Sequence, residues 1–322
     1  MSTSPTPASP SPQPGRLLPL AWEFARPFTL LAPFVGFLSS GLAALGTRKE
    51  TAGDWAVLAP LLFGSVMSAT LNAASNTLNQ VHDREVDAVN KPHRPIPSGR
   101  ATIRQANIIT VFYYVVALVL AWFCQPPAGV PGHGERACFW IVLVAAFLTW
   151  AYSAPPIRSK RMGWGANLTI AIPRGVLLKV AGWSSVLTVL DPEPWYIGLI
   201  FGLFLIGATN TKDFADMEGD RAGGCRTLPV VLGLEKAVRV TVPFFVVPFL
   251  LIPLGASMGW LTGNRMVLVI LGFTMASYGA WIARGMLKDP GSLAVDDNHP
   301  SWAHMYAMMI LGQLGFALAY WL

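Results

Sequence analysis

The sequence predicts an all-α membrane protein, a polytopic bundle of about nine transmembrane helices. Only 12% of its 322 residues are charged and 53% are hydrophobic, whereas soluble domains carry roughly 25% charged residues. Apolar runs follow one another along the chain with short polar joints between them, and most approach the roughly 20 residues that a helix needs to cross a bilayer. This composition excludes a soluble fold.

Nine apolar runs give the predicted spans. They cover residues 27–46, 55–78, 107–124, 138–153, 166–187, 195–212, 238–260, 266–287 and 303–321. The chain opens with MSTSPTPASPSPQPG, a Ser/Pro/Thr-rich run without an apolar core. We therefore predict a disordered tail over residues 1–20 instead of a signal peptide, followed by a single transmembrane domain over residues 21–322.

The distribution of lysine and arginine predicts the orientation. Sixteen of the 23 basic residues fall in one set of alternate joints and only four in the other. Cytoplasmic loops carry the excess of such residues, so we expect a multi-pass protein of the cell inner membrane with its N-terminus inside. The net charge of +6 fits this placement better than nucleic-acid binding, because the basic residues lie in joints between apolar runs.

A first polar stretch, NQVHDREVD, ends the second predicted span. Its Asn79, Asp83 and Asp87 are four residues apart, so on a helix their side chains form one stripe. Oxygen ligands of this kind suit Mg²⁺, which prefers a few carboxylates together with water and substrate phosphate oxygens. Arg94 follows a few residues later and could grip a phosphate. A solvated helix end is the alternative interpretation of this stretch alone.

A second stretch of the same kind ends the sixth predicted span. It reads KDFADMEGDR from Lys212 to Arg221 and again sets two aspartates, Asp216 and Asp220, four residues apart. Both stretches fall on the predicted cytoplasmic side. Carboxylates brought together there would repel one another unless cations neutralised them. Two such clusters could enclose a diphosphate between metal ions.

These stretches resemble the signature motifs of the UbiA superfamily of intramembrane prenyltransferases, which read NxxxDxxxD and DxxxD. The runs NKPHRPIPSGR, AYSAPP and DMEGDRAGGCRTLPVVLG are similar to same-order segments of (bacterio)chlorophyll synthases and geranylgeranylglyceryl phosphate geranylgeranyltransferases. The resemblance covers nearly all of the chain after residue 20. It implies nine helices around a central lipid-facing cavity, capped on the cytoplasmic side by the two Asp-rich loops.

The resemblance also implies the site residues. Catalytic acids would be Asp83, Asp87, Asp216 and Asp220, and Mg²⁺ would be held by Asn79, Asp83, Asp87, Asp213, Asp216 and Asp220. Gln80 departs from the pattern, because many members have a second Asp directly after the Asn. We interpret that departure as a change in metal geometry or substrate preference.

Basic and polar candidates for binding the donor complete the predicted site. They are Asn79, Arg94, Tyr152, Arg158, Lys160, Arg174 and Lys212. The family tends to have a Tyr followed four residues later by Lys, whereas Tyr152 here is six residues before its first basic residue. Arg158 and Lys160 are therefore alternatives, and a third possibility is that the RSKR run anchors the span to anionic headgroups. Arg174 and Lys179 lie inside an apolar run, and Arg174 is the preferred candidate there.

The predicted activity is Mg²⁺-dependent transfer of a prenyl group from a polyprenyl diphosphate to a small lipophilic or aromatic acceptor, with release of diphosphate. A quinone precursor, a chlorophyllide-like compound and a glyceryl phosphate are all open as acceptors. The alternative is a membrane transporter with an acidic cation site on its cytoplasmic side. Transporters usually bind their ions near the bilayer midplane, whereas the acids here cluster at one surface.

Overall fold

Helices form all the regular secondary structure of residues 17–48, 55–294 and 299–322, the parts of the chain that the computed structural model describes. We number the α-helices α1 to α16. Their bounds are Leu17–Ala25, Leu31–Gly46, Trp55–His82, Arg84–Asn90, Ile103–Phe123, Ala137–Ser153, Trp164–Ala171, Leu178–Trp183, Glu193–Ala208, Asn210–Asp213, Met217–Ala222, Leu228–Leu232, Leu234–Thr241, Val247–Met258, Arg265–Lys288 and Pro300–Trp321.

Seven helical segments within the described ranges are long and apolar enough to cross a membrane. They are Pro27–Gly46, Trp55–His82, Ile103–Phe123, Glu193–Asp213, Leu234–Met258, Arg265–Lys288 and Pro300–Trp321. The predicted all-helical membrane protein is thereby confirmed. Two other predicted spans correspond to the 17-residue helix α6 and to an interrupted helix, so neither meets the same length criterion.

The boundary predicted for the N-terminal tail falls inside a helix. The prediction for residues 1–16 lies outside the described residues, whereas residues 17–20 belong to α1 and are helical. Leu20 and Phe24 are buried in a cluster with Val81, Ala106 and Ile109 of α3 and α5. Burial of such side chains contributes roughly 1.5–3 kcal/mol each, which is enough to order a short helix that composition alone does not reveal.

The segment predicted as the fifth span is a helix interrupted by one wider turn. Helix α7 runs into a π-helical stretch over Ile172–Leu177, and α8 follows directly. Pro173 lacks the backbone N–H that an α-helix would use there. Wider turns of this type occur as single bulges inside helices, frequently at functional sites.

Small residues allow the interrupted helix to approach α9 closely. A Cβ added to Gly175 would lie 2.4 Å from the Cα of Gly202, so no side chain fits between the two backbones. Close glycine contacts of this kind are typical of membrane helices, which gain little from hydrophobic burial against each other and depend on packing. Gly175 directly follows Arg174, so this contact fixes the position of that arginine.

Polar side chains of α3 bind the beginning of the chain. Asn76 donates to the carbonyl of Ala25 and to Thr29 Oγ1, each at 2.8 Å. Gln80 donates to the carbonyl of Phe24 at 3.1 Å and is 3% exposed. Gln80 therefore links α1 to α3 by a hydrogen bond and points away from the aspartate stripe. The glutamine that stands here in place of the aspartate of the resembled motif has a packing role.

Candidate functional site

A cavity with about 1100 Å³ of space, its open mouth included, lies where α3, α6, α7 and α9 end near α4, α10 and α11. Eleven of the twelve predicted site residues line it, and Arg158 is the exception. The eleven are Asn79, Asp83, Asp87, Arg94, Tyr152, Lys160, Arg174, Lys212, Asp213, Asp216 and Asp220. Residues separated by more than 130 positions in sequence thus meet in one space.

The first motif crosses a helix junction without losing its stripe. Helix α3 ends at His82 and α4 begins at Arg84, with Asp83 between them outside helical geometry. The backbone N–H of Asp83 still donates to Asn79 and that of Asp87 to Asp83, at 2.9 and 2.7 Å. Because these bonds keep the four-residue spacing of a helix, all three side chains face the cavity.

The second motif repeats this construction. Asp216 stands between α10 and α11 as Asp83 stands between α3 and α4, again outside helical geometry. The N–H of Asp220 donates to the carbonyl of Asp216 at 2.9 Å. Asp216 and Asp220 are both buried. The two stretches that resemble each other in sequence therefore also resemble each other in structure.

Asn90 ties the two motifs together. Its Nδ2 donates to the carbonyl of Asp216 at 3.2 Å, and its Oδ1 accepts from the N–H of Gly219 at 3.1 Å. A Cβ on Gly219 would lie 2.4 Å from the Asn90 side chain, so glycine is required at that position. Asn90 was not predicted from the sequence, although it lies one turn after the last aspartate of the stripe, which is a signal that could have identified it.

Basic side chains pair with three of the aspartates. Lys160 bonds Asp83, and one guanidinium nitrogen of Arg94 donates to both oxygens of Asp87 at 2.6 Å. Asp216 accepts from two lysines, one per oxygen, at 2.5 Å. Basic side chains of the chain itself thus offset the charge of these three carboxylates.

Lys91 and Lys212 are the two lysines on Asp216, and they stabilise its ionised form. Burial alone would raise the pKa of Asp216, but the two ammonium groups hold it well below its usual range. Burial and the neighbouring Lys212 lower the pKa of Lys91 to about 8. The sequence analysis missed Lys91, which lies in the NKPHRP run beside the predicted Arg94.

Asp220 has the opposite environment. Its hydroxyl neighbour Thr227 is at 3.4 Å, a weak contact, and none of the ion pairs of the described residues involves Asp220. Burial, with the nearby carboxylate of Asp216, raises the pKa of Asp220 despite the opposing charge of Lys212. Of the four predicted catalytic acids, Asp220 is therefore the one without a basic partner among the described residues.

In each pair of alternative basic residues, Arg158 or Lys160 and Arg174 or Lys179, only one member lines the cavity. Lys160 lines the cavity, whereas Arg158 donates to the carbonyl of His82 at 2.9 Å and comes only within 3.7 Å of Asp83 from outside. Arg174 lines the cavity, whereas Lys179 is buried elsewhere, where it donates to the carbonyl of Gly36 at 3.1 Å. Lys160 and Arg174 are thus the members that the fold brings to the acids.

An apolar groove continues from the polar cavity into the bundle. It shares Thr149, Pro173 and Arg174 with the cavity, and its other walls are largely aliphatic and aromatic side chains. Those walls include Pro33, Phe37, Met67, Leu71, Ile141, Val142, Leu177, Leu178 and Ala181. One end of the combined space is therefore strongly charged and the other strongly apolar.

Comparison with known proteins identifies the family of this chain. The sequence profile of the UbiA prenyltransferase family matches residues 34–289. The chain belongs to the UbiA prenyltransferase family. It is therefore an enzyme of prenyl transfer, which confirms the resemblance and the activity predicted from the motifs.

Curated UbiA relatives cover most of the chain. The bacteriochlorophyll synthase 34 kDa chain of Chloroflexus aurantiacus is 30% identical over 83% of this chain and 80% of its own length. The bacteriochlorophyll synthase 33 kDa chain of Cereibacter sphaeroides is 33% identical over 71% of this chain and 70% of its own. The digeranylgeranylglyceryl phosphate synthase of Methanosphaera stadtmanae is 25% identical over 81% and 86%.

A solved UbiA homologue shares the fold. The homologue from Archaeoglobus fulgidus, bound to GPP and Mg²⁺, superposes with a TM-score of 0.66 over 94% of this chain and 99% of its own, at 16% identity. A structure of a digeranylgeranylglyceryl phosphate synthase gives the same TM-score at 20% identity over 95% and 99%. The helix arrangement is thus that of the family.

Arg26 is a further basic residue of this UbiA cavity that the sequence analysis placed only among the joints. It lines the cavity next to the aromatic Trp302 and Tyr306 of α16. Burial and the charges of Arg94 and Arg174 lower the pKa of Arg26. Its left-handed backbone, with φ of 55°, is uncommon outside glycine and asparagine, and no sequence signal marks it.

Proposed function

We propose that this chain transfers a prenyl group from a prenyl diphosphate to a lipophilic or aromatic acceptor and releases diphosphate, with the donor lying across the polar cavity and the apolar groove. The observation that carries the proposal is the continuity of these two spaces at Thr149, Pro173 and Arg174. A molecule with an anionic head and an isoprenoid tail matches both ends. The mixed character of the space also explains why the reaction takes place inside a membrane protein.

The donor set fits Mg²⁺. Among the described residues, no three His, Cys, Asp or Glu side chains already form a metal-binding group, and Mg²⁺ seldom uses such all-protein cages. It takes one or two carboxylates and completes its shell with water and substrate phosphates. The residues that would hold it are Asn79, Asp83, Asp87, Asp213, Asp216 and Asp220. A UbiA homologue solved with GPP and Mg²⁺ supports the choice of Mg²⁺ as the metal.

When bound, Mg²⁺ neutralises charge that develops on the departing diphosphate. The basic side chains of this chain have a related task. Lys160, Arg94 and Lys212 are held against carboxylates in the cavity wall, and they would exchange those partners for diphosphate oxygens as the donor enters. Preorganised cations of this kind stabilise charge without a reorganisation penalty at the moment of reaction.

We place the acceptor beside Arg26 and Arg174. Both line the cavity, and neither makes an ion pair or a side-chain hydrogen bond within the described residues. Trp302 and Tyr306 form an aromatic wall next to Arg26, with ring centroids 5.0 Å apart. Two free guanidinium groups beside an aromatic wall favour a planar acceptor that carries an acidic group. Asp220 is our choice for the base where the acceptor must lose a proton, because its pKa is raised.

Nine membrane crossings and a cytoplasmic active site belong to the same proposal. The 17 residues of α6 are at the lower limit for a spanning helix. The interrupted helix over residues 164–183 is long enough when its three parts are taken together. With these two added to the seven longer helices, the excess of lysine and arginine falls on the side of the Asp-rich cavity, which supports an inner-membrane protein with its N-terminus inside.

Donor binding tests the proposal directly. Purified protein should bind farnesyl or geranylgeranyl diphosphate in the presence of Mg²⁺ and lose most of that affinity with EDTA or in Asp83→Ala. Glu218→Ala is the matched control, because Glu218 is an exposed acid of the second motif that does not line the cavity. Unchanged binding in Asp83→Ala would contradict the proposal that Mg²⁺ links Asp83 to the donor diphosphate. Mg²⁺-driven ion uptake into vesicles, without prenyl transfer, would favour the alternative function of a membrane transporter.

A further inference from the structure

A second polar pocket lies outside the catalytic cavity, behind the junction of α3 and α4. It shares none of the cavity's lining residues. Its apolar part is formed by the beginning of α5 and by the segment that follows α6. Those side chains are Ile103, Pro155, Pro156 and Ile157, and Val81 near the end of α3 adds a further apolar contact.

Three arginines border this pocket, against a single acid, Glu85. Arg84 is exposed and has no ion pair or side-chain hydrogen bond in the described part of the chain. Arg161 uses one guanidinium nitrogen on the carbonyl of Gly223 at 3.0 Å and leaves the others free. The pocket is therefore short of negative charge.

Arg158 is the most buried of the three. Its Nε is buried without any hydrogen-bond partner, and its backbone is left-handed with φ of 41°. A buried donor left without a partner lowers stability, and unusual backbone geometry persists mainly where a function needs it. Both observations indicate that an anionic group belongs beside Arg158.

The position of the pocket indicates what carries that anion. Ile103 is the first residue of the membrane-spanning helix α5 and is 38% exposed. Val111 and Val115 continue the same face of α5 toward the hydrocarbon at 62% and 52% exposure, with Asn107 between. An arginine-rich pocket at the end of an exposed apolar stripe matches a phosphate with acyl chains attached to it.

We propose that this pocket is a binding site for an anionic phospholipid, whose headgroup phosphate contacts Arg84, Arg158 and Arg161 and whose acyl chains lie along the exposed face of α5. The RSKR run then has two separate tasks. Lys160 serves the catalytic cavity, and the arginines on either side of it, Arg158 and Arg161, serve the lipid. The site is independent of the reaction that the enzyme catalyses.

Lipid binding to the purified, full-length protein in detergent tests the site. Dioleoyl phosphatidylglycerol and dioleoyl phosphatidylcholine are titrated separately, and bound lipid is counted by native mass spectrometry. We expect phosphatidylglycerol to bind at least tenfold more tightly. Arg84→Gln and Arg161→Gln should each weaken it about fivefold, the factor that corresponds to about 1 kcal/mol per basic residue near anionic lipid.

Arg104→Gln is the matched control. Arg104 is an exposed arginine on the same end of α5, adjacent to Ile103 but outside the pocket, so its removal should leave phosphatidylglycerol binding unchanged. Equal affinity for the two lipids, or an equal loss in Arg104→Gln, would overturn the proposal. Displacement of phosphatidylglycerol by an equal concentration of glycerol 3-phosphate would overturn the assignment to a lipid and indicate a site for a free phosphate. The unfolding temperature of each variant without added lipid shows whether a loss reflects misfolding.

Discussion

The two Asp-rich motifs share a backbone construction and differ in charge. In both, a helix ends, an aspartate stands at the junction, and a second short helix carries another aspartate four residues on. In the first motif each aspartate has its own basic partner, Lys160 for Asp83 and Arg94 for Asp87. In the second motif Asp216 holds two lysines while Asp220 pairs with none of the basic residues described.

This difference shows that a repeated motif need not be a repeated function. The first motif is electrically balanced before any ligand arrives. The second is uneven, because one carboxyl is kept ionised by two ammonium groups and the other is left with a raised pKa. Asp216 is therefore suited to hold charge, and Asp220 to exchange a cation or a proton.

Separate substitution of the two second-motif aspartates should produce the largest effects. Asp216→Asn and Asp220→Asn should each reduce kcat/KM roughly 100-fold, in line with the loss of one preorganised electrostatic group. The two variants should differ in thermal stability. Asp216→Asn leaves Lys91 and Lys212 without their carboxylate and should lower the unfolding temperature, whereas Asp220→Asn removes a poorly compensated buried charge and should leave it unchanged or higher. Thermal unfolding in detergent checks this, and equal shifts would contradict the difference in charge.

The first motif is expected to depend on Lys160 far more than on Arg158. Lys160→Gln should raise the apparent Kd for the prenyl diphosphate at least tenfold, because it removes an ammonium group that binds the diphosphate oxygens. Arg158→Gln should change it by about twofold or less, because a pair 3.7 Å apart is weak and partly solvated. Isothermal titration with the donor in Mg²⁺ measures both. A larger effect of Arg158→Gln would show that the donor reaches outside the cavity.

Replacement of Gly219 should break the hydrogen bonds by which Asn90 links the two motifs. Gly219→Ala pushes the Asn90 amide away from its two hydrogen bonds to the second motif. We expect a loss of about 1–2 kcal/mol in stability and roughly a tenfold loss of activity. Asn90→Ala removes the same bonds, so the double variant should be no worse than Asn90→Ala alone. Additive losses would mean that Gly219 acts through something other than Asn90.

The smallest expected effect concerns pH and Lys91. Its pKa is lowered to about 8, so above that pH the ammonium loses its proton and no longer competes with a metal ion for Asp216. The apparent affinity for Mg²⁺ should therefore rise roughly threefold between pH 7 and pH 9, a modest change because the site is partly solvated. In Lys91→Met the apparent affinity for Mg²⁺ at pH 7 should be higher than in the unsubstituted protein and should change little with pH. An unchanged slope in this variant would assign the titration to another group.

The sequence predicted most of the helices and the aspartates, because apolar length and four-residue spacing are local properties. It could not predict which of two nearby basic residues enters the cavity, since Arg158 and Lys160 differ only in how the chain turns after α6. Gln80 was interpreted from the family pattern and is in fact a packing residue bonded to Phe24. Arg26 lies 57 residues before Asp83, and only the folded bundle brings the two to one cavity.

The π-helical turn at Ile172–Leu177 amounts to one extra residue within an otherwise regular helix. A turn of this type holds one residue more than an α-turn, so everything beyond it is rotated by about 100° relative to a regular helix. Deletion of one residue from the turn would restore the ordinary register and swing the whole face of α8 round, Lys179 included, without altering any other residue of the chain. A single codon could in this way exchange part of the lining of the groove, which offers a route to prenyl donors of a different chain length that leaves both aspartate motifs unchanged.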